Sequence, residues 1–227
     1  ACHHASRYFL LNNLGAIAPG YLADFAVIDN FKDFNVEMVF KKGVLYWNNG
    51  ELRDFEAPQI EEYLDKRAHD TFHVATLTPD DFRDTRQRGV LGMVPGEIIT
   101  TDNGYADHVD LEKDILKIAV VERHKGTHHI GLGYIQGYGL RSGAVATSIS
   151  HDSHNIIVVG TNSADMAFAA NYIGEHHGGI VVVENGVVTG SVVLEIAGIM
   201  SDRPLTEVND QLEAAKAAAF ELGVSRG

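Results

Sequence analysis

The sequence predicts a mixed α/β (α+β) chain built in two parts, on three observations. Short strand and hairpin patterns fill the first 50 residues. A polar, charged stretch carrying Pro58 and Pro79 follows over 51–80 and marks a linker. Apolar β-branched runs alternating with a helical pattern then recur over 81–227, as an α/β domain requires.

Residues 3–14 read as the end of a helix, with Ala5, Phe9 and Leu10 on one face and Gly15 as its stop. Pro19-Gly20 suits a type II turn, and the run 23–29 reads as a buried strand. Segments 36–42 and 44–47 flank Gly43 as a hairpin that ends at Asn48-Asn49-Gly50. Within the linker, 59–69 allows a short helix. Beyond it, 115–122 is a strand candidate, 126–143 is rich in glycine, and 156–159 is β-branched enough for a central strand. Asn162 or Ser163 caps the next helix, Asp165 suits its dipole, and Met166, Ala169, Ala170 and Ile173 form its buried face. Gly178-Gly179 ends that helix. Segments 180–183 and 187–194 pair across Asn185-Gly186, and 212–222 is an alanine-rich helix.

The chain has 18 Lys and Arg against 31 Asp and Glu, a formal −13, which disfavours nucleic acid as a partner. No apolar run approaches the roughly 20 residues that span a bilayer, so no membrane partner is expected. The N-terminus shows no signal pattern and does not start with Met, which reads as a processed or excised fragment. The single Cys2 fits a reducing cytoplasm.

Two constellations carry chemistry. His151-Asp152-Ser153-His154-Asn155 puts five polar side chains before a buried strand. The two histidines are spaced for a loop metal pair, with Asp152 able to orient either ring. The alternative reading is a polar turn in which Asp152 and Ser153 bond backbone. Glu122-Arg123-His124 follows a strand. Arg123 there suits a carboxylate or a purine face, or else an ordinary surface ion pair. Gly131 to Gly143 lacks the lysine of a phosphate loop and reads as close backbone packing or a mobile loop. His128-His129 and His176-His177 are adjacent rather than spaced, which favours structural roles.

Two segments resemble known families. Residues 15–29, Gly-Ala-Ile-Ala-Pro-Gly-Tyr-Leu-Ala-Asp-Phe-Ala-Val-Ile-Asp, are similar to the stretch that follows the barrel in amidohydrolase-superfamily enzymes. The resemblance implies that 1–50 is the outgoing barrel helix and half of a composite β-sandwich. Ser148 to Asn162 with Asp165-Met166, joined by Glu122-Arg123-His124, Gly131-Leu132-Gly133, Gly137 to Leu140 and Ile196 to Ser201, resembles the C-terminal domain of adenine deaminases. That resemblance implies a metal-dependent hydrolase turning adenine and water into hypoxanthine and ammonia. It further implies a (β/α)8 barrel, absent from this chain, holding a divalent metal pair of manganese or iron whose bound water attacks the purine. The expected partners are the purine substrate, the N-terminal barrel of the same protein and a second copy in a homo-oligomer. His151, Asp152, Ser153, His154, Asn155, Glu122 and Arg123 are the expected pocket-lining residues, closing the purine site rather than binding metal. No catalytic residue is expected in this chain, which alone should be inactive. Two rivals stay open: another cyclic amidine or amide hydrolase of the superfamily, and a non-catalytic ligand-binding or oligomerisation module.

Overall fold

A computed structural model describes residues 2–56 and 58–226. The chain divides into two compact units, 1–59 and 60–227. Among the described residues the elements are four α-helices and two sheets, a mixed α/β fold with no (β/α)8 barrel. No described helix is long and apolar enough to cross a membrane.

In the first unit, α1 (Cys2–Tyr8) precedes β1 (Phe25–Ile28), β2 (Val36–Lys41), β3 (Val44–Asn48) and β4 (Glu51–Leu52). The strands form one antiparallel sheet in sequential order. The expected helix over 3–14 is shorter than the apolar pattern suggested. Leu10 turns to φ +57, and the amide of Leu11 donates back to Ser6 O at 2.8 Å, a left-handed helix end of the kind glycine usually makes. Lys42-Gly43 and Asn49-Gly50 both have positive φ in the two-residue loops between strands, which is the hairpin chemistry the sequence shows. Phe25 stacks on Phe40 across β1 and β2 at 4.8 Å. Yet every described strand residue here is half-buried or exposed, and Ser6 is the one buried residue among the described residues of the unit. The run 23–29 was expected to be a buried strand, but four short strands in one layer have nothing to bury against.

The second unit contains α2 (Glu62–His69), a 3₁₀ turn at Pro79–Phe82, β5 (Arg88–Met93), β6 (Thr100–Ala106), β7 (Ile115–Val121), β8 (Ile130–Gln136), β9 (Ala144–Thr147), β10 (Ile156–Gly160), α3 (Ser163–Glu175), β11 (Gly179–Glu184), β12 (Val187–Val193) and α4 (Leu205–Glu221). Its eight strands run in the order β12-β11-β9-β10-β7-β8-β5-β6. Among the described residues only the β5–β8 pair is parallel. The central strand β10 lies between β7 and β9, and its β-branched residues are largely buried. Met166, Ala169, Ala170 and Ile173 of α3 are fully buried against the sheet, with Ala119, Val121, Ile156, Val158, Val181 and Val183. Asn162 caps α3, accepting from the amide of Asp165 at 2.8 Å. Asp165 is itself buried, and its carboxylate accepts from the amides of Asn185 and Gly186 in the β11–β12 turn. One acid thus fixes both the helix start and the hairpin tip.

Residues 51–80, expected to be a linker, divide at 59/60, and the part from 60 belongs to the second unit. Phe72 and Leu77 are buried in its core, and Leu77 exchanges two hydrogen bonds with the Asn171 amide. The glycine-rich segment contains strand β8, with Gly131 and Gly133 opposite Val120 and Ile118. The close backbone packing in this segment is at Gly139 and Gly143, where a Cβ would collide with the carbonyl oxygens of Gly223 and Val183. Helix α4 begins at Leu205, earlier than its alanine-rich half suggested.

Candidate functional site

Strand β7 ends at Val121 and β10 begins at Ile156, and these two residues are paired. The segment 122–127 therefore leaves the sheet where the loop 148–155 enters it. The two polar motifs of the sequence are brought together by this antiparallel register. The rule that places chemistry at carboxyl ends of parallel strands has no bearing here, because the neighbouring strands are antiparallel.

Arg123 organises the site. It is 3% exposed, and burial lowers its pKa. Its Nε donates to His154 O, its Nη1 to Thr71 O at 3.1 Å and its Nη2 to Ala197 O at 3.0 Å. The guanidinium also lies over the Phe72 ring, 4.2 Å from the centroid. Arg123 was expected to meet a carboxylate or a purine face. Its nitrogens are instead spent on three backbone carbonyls and its flat face on Phe72, so within this chain it is a clamp joining three loops.

Glu122 has a similar task. Its Oε1 accepts from the amides of His124 and Lys125 at 2.6 and 2.9 Å, and its Oε2 from Thr127 N and Oγ1 at 3.2 and 2.8 Å. Burial alone would raise its pKa. The bonds from Thr127, His124 and Lys125 outweigh that and hold the carboxyl at about 2. Both acceptor oxygens face the 124–127 turn. The turn in turn carries His124, whose Nε2 donates to Ser153 O at 2.8 Å.

The loop itself has a committed base and an uncommitted tip. At the base, Ser148 is fully buried, donates from Oγ to Gly198 O at 2.6 Å and accepts from Gly179 N at 2.8 Å. His154 adopts φ +49, a left-handed conformation that a non-glycine residue takes only when its surroundings impose it. Its amide closes the loop on Ser150 O at 2.6 Å. Its Nδ1 is buried with no hydrogen-bond partner. Asn155 Oδ1 accepts from Arg123 N at 3.4 Å, and Ser153 contributes its carbonyl to His124. At the tip, His151 and Asp152 side chains are 93% and 90% exposed, and His151 Nδ1 lies 2.6 Å from Asp152 Oδ1. The spacing of His151 and His154, compatible in sequence with a metal pair, does not give one: one ring is exposed and the other has its Nδ1 buried. Among the described residues no group of three or more His, Cys, Asp and Glu is placed to hold a metal ion.

Sequence reading did not find Thr71, Phe72 or Ala197 as parts of the site. The first two lay in the presumed linker, where the apolar residues Phe72, Val74 and Leu77 were the available signal. Three of the four paired histidines make structural contacts: His176 stacks on Tyr172 at 3.9 Å, His177 packs edge-on to Phe72, and His128 Nε2 meets Asp81 Oδ1 at 2.9 Å.

A family model described as the adenine deaminase C-terminal domain matches residues 96–226. The chain belongs to that family. Segments 122–124, 148–155 and 196–201, which carry the resemblance in sequence, are therefore the ones that Arg123 and Ser148 tie together in space. Adenine deaminase 1 of Rhizobium etli is 38% identical over 233 residues, covering 97% of this chain and 40% of the relative. Adenine deaminase 2 of Carboxydothermus hydrogenoformans is 39% identical, covering 98% of this chain and 40% of the relative. The adenine deaminase of Dehalococcoides mccartyi is 38% identical, again over 97% of this chain and 40% of its own length. This adenine deaminase C-terminal domain and the unit before it thus span about 40% of the curated relatives they match.

Proposed function

We propose that this chain is the C-terminal portion of an enzyme converting adenine and water to hypoxanthine and ammonia, and that its 148–155 loop lines the purine site. The observation that carries the reading is the pairing of the family match with a loop whose base is locked and whose tip is left free. Among the described residues His151 pairs with Asp152, both stay open to solvent, and their support is held by a buried arginine. Such a tip suits a ring rich in donors and acceptors, as adenine is.

In this reading the catalytic acid and base and the manganese or iron pair belong to a barrel outside these residues. The residues present do not fit a metal site, so no step is assigned to them through one. Their work is to bind and orient the purine and to exclude water. The enzyme acts in the cytoplasm, consistent with one free, exposed cysteine. The test is direct. The 227-residue chain, given Mn²⁺ or Fe²⁺ and adenine, releases no ammonia, and the complete polypeptide does. Turnover by the chain alone, or none by the complete polypeptide, overturns the proposal.

A further inference from the structure

The free tip of the 148–155 loop lies between two fixed legs. Ser148 ties the first leg to Gly198 O, and Arg123 ties the second at His154 O. Holding the legs alone leaves the tip able to tilt, since each residue between them keeps two soft backbone angles. The loop's own bond from His154 N to Ser150 O closes the turn without fixing that tilt. A bond from outside the loop does fix it. His124 Nε2 donates to the carbonyl of Ser153, the residue next to Asp152, at 2.8 Å. Two consecutive loop carbonyls, those of Ser153 and His154, are thus held by two consecutive side chains, those of His124 and Arg123.

His124 is exposed, yet it stands on a rigid platform. The Glu122 carboxylate binds the amides of His124, Lys125 and Thr127. From behind, His73 N donates to Arg123 O at 2.8 Å. Gly126, at φ +62, packs so closely there that a Cβ would lie 3.1 Å from His73 O. The turn is therefore set without the imidazole, and the ring is left for other work. A carbonyl can only accept, so the bond to Ser153 puts the ring hydrogen on Nε2 and fixes the ring's orientation. An exposed imidazole would otherwise give its N–H to water. Tying it to a backbone oxygen across the sheet end costs rotamer freedom, and the return is a tip held one way.

We propose that His124 is a positioning residue for the deamination: it holds the Ser153 peptide so that His151 and Asp152 meet the purine in one orientation. The proposal rests on the reading of 148–155 as a purine-lining loop. Arg123 keeps the loop attached, and His124 sets which way its tip faces. His124 acts through the loop and not on the reacting atoms, so its loss weakens purine binding more than the chemical step.

Two measurements on the complete polypeptide test it. The first is hydrogen exchange without purine, read by mass spectrometry. His124→Phe keeps a ring and loses both nitrogens. It speeds exchange over 150–154 about fivefold, the factor that one neutral hydrogen bond supplies. The amides of β10 keep their wild-type rates, which shows that the sheet is intact. The second is adenine turnover. There His124→Phe raises KM about fivefold and leaves kcat within about twofold. His124→Gln, whose side-chain amide donates at a similar reach, restores both readouts. In a His151→Ala background His124→Phe adds no further loss, because the side chain it positions is gone. Wild-type loop exchange in His124→Phe, a fall in kcat with KM unchanged, no rescue by His124→Gln, or fully additive losses with His151→Ala overturns the proposal. Faster loop exchange in His124→Phe beside wild-type kinetics in His151→Ala overturns the purine-lining reading and leaves the hold on Ser153 standing, so the two fail separately.

Discussion

Replacing Arg123 by Met removes the clamp while keeping most of the stem that packs beside Phe72. Three backbone oxygens, those of Thr71, His154 and Ala197, then lose their donor in a place where the guanidinium is 3% exposed. Each orphaned buried acceptor costs about 1–3 kcal/mol. Loss of the stacked cation adds about 1 kcal/mol or more. Against this, the variant no longer desolvates a charge that has no carboxylate partner, which returns several kcal/mol. The net is a destabilisation of roughly 3–5 kcal/mol, a large part of the usual 5–15 kcal/mol of a domain. Urea unfolding followed by far-UV circular dichroism measures it in the second unit, and fluorescence of Trp47, the sole tryptophan, follows the first unit in the same sample. The first transition should fall steeply and the second should hold. Arg123→Lys should behave nearly like Arg123→Met, because one ammonium cannot span three carbonyls on separate loops. A change below about 0.5 kcal/mol in Arg123→Met would refute the reasoning, since the three carbonyls would then be satisfied without it.

Three further outcomes are expected. Ser148→Ala strips a buried donor from Gly198 O and an acceptor from Gly179 N and should cost about 1–3 kcal/mol in the same assay. The Glu122 carboxyl is held at about 2 against an ordinary 4.5, so its support of the 124–127 turn is complete above 4.5 and is lost as pH falls through about 2. Glu122→Gln should remove that acid-limb dependence, read as exchange rates of the Thr127 and Lys125 amides. In the first unit, strand β1 has no fully buried residue, so its amides should exchange fast in this chain while those of β10 stay protected.

Strong local patterns were legible from sequence. Strand β10 announced itself through Ile156, Ile157, Val158 and Val159, α3 through its cap and buried face, and the last hairpin through Asn185-Gly186. Strand β8 was hidden because Gly131 and Gly133 lower strand propensity, and its pairing with β7 and β5 is supplied only by the fold. Helix α1 ended early because Leu10 took a conformation that its side chain does not advertise. The loop 148–155 was visible as polar residues before a strand, but its division into base and tip was not. That division rests on backbone carbonyls at 71, 154 and 197 meeting one arginine, and carbonyls carry no sequence signature.

The central claim is that the loop tip faces the purine in the complete enzyme. His151 and Asp152 are the right residues to change, because each is at least 90% exposed and substitution there leaves the fold untouched. The decisive measurement is adenine turnover by the complete polypeptide bearing His151→Ala or Asp152→Asn, with metal content determined on the same preparations. The account predicts that kcat/KM falls at least tenfold, about 1.4 kcal/mol, with metal content unchanged. Wild-type rates in both variants would contradict it and return the loop to a structural turn, and loss of metal in either would make the loop a ligand rather than a lid.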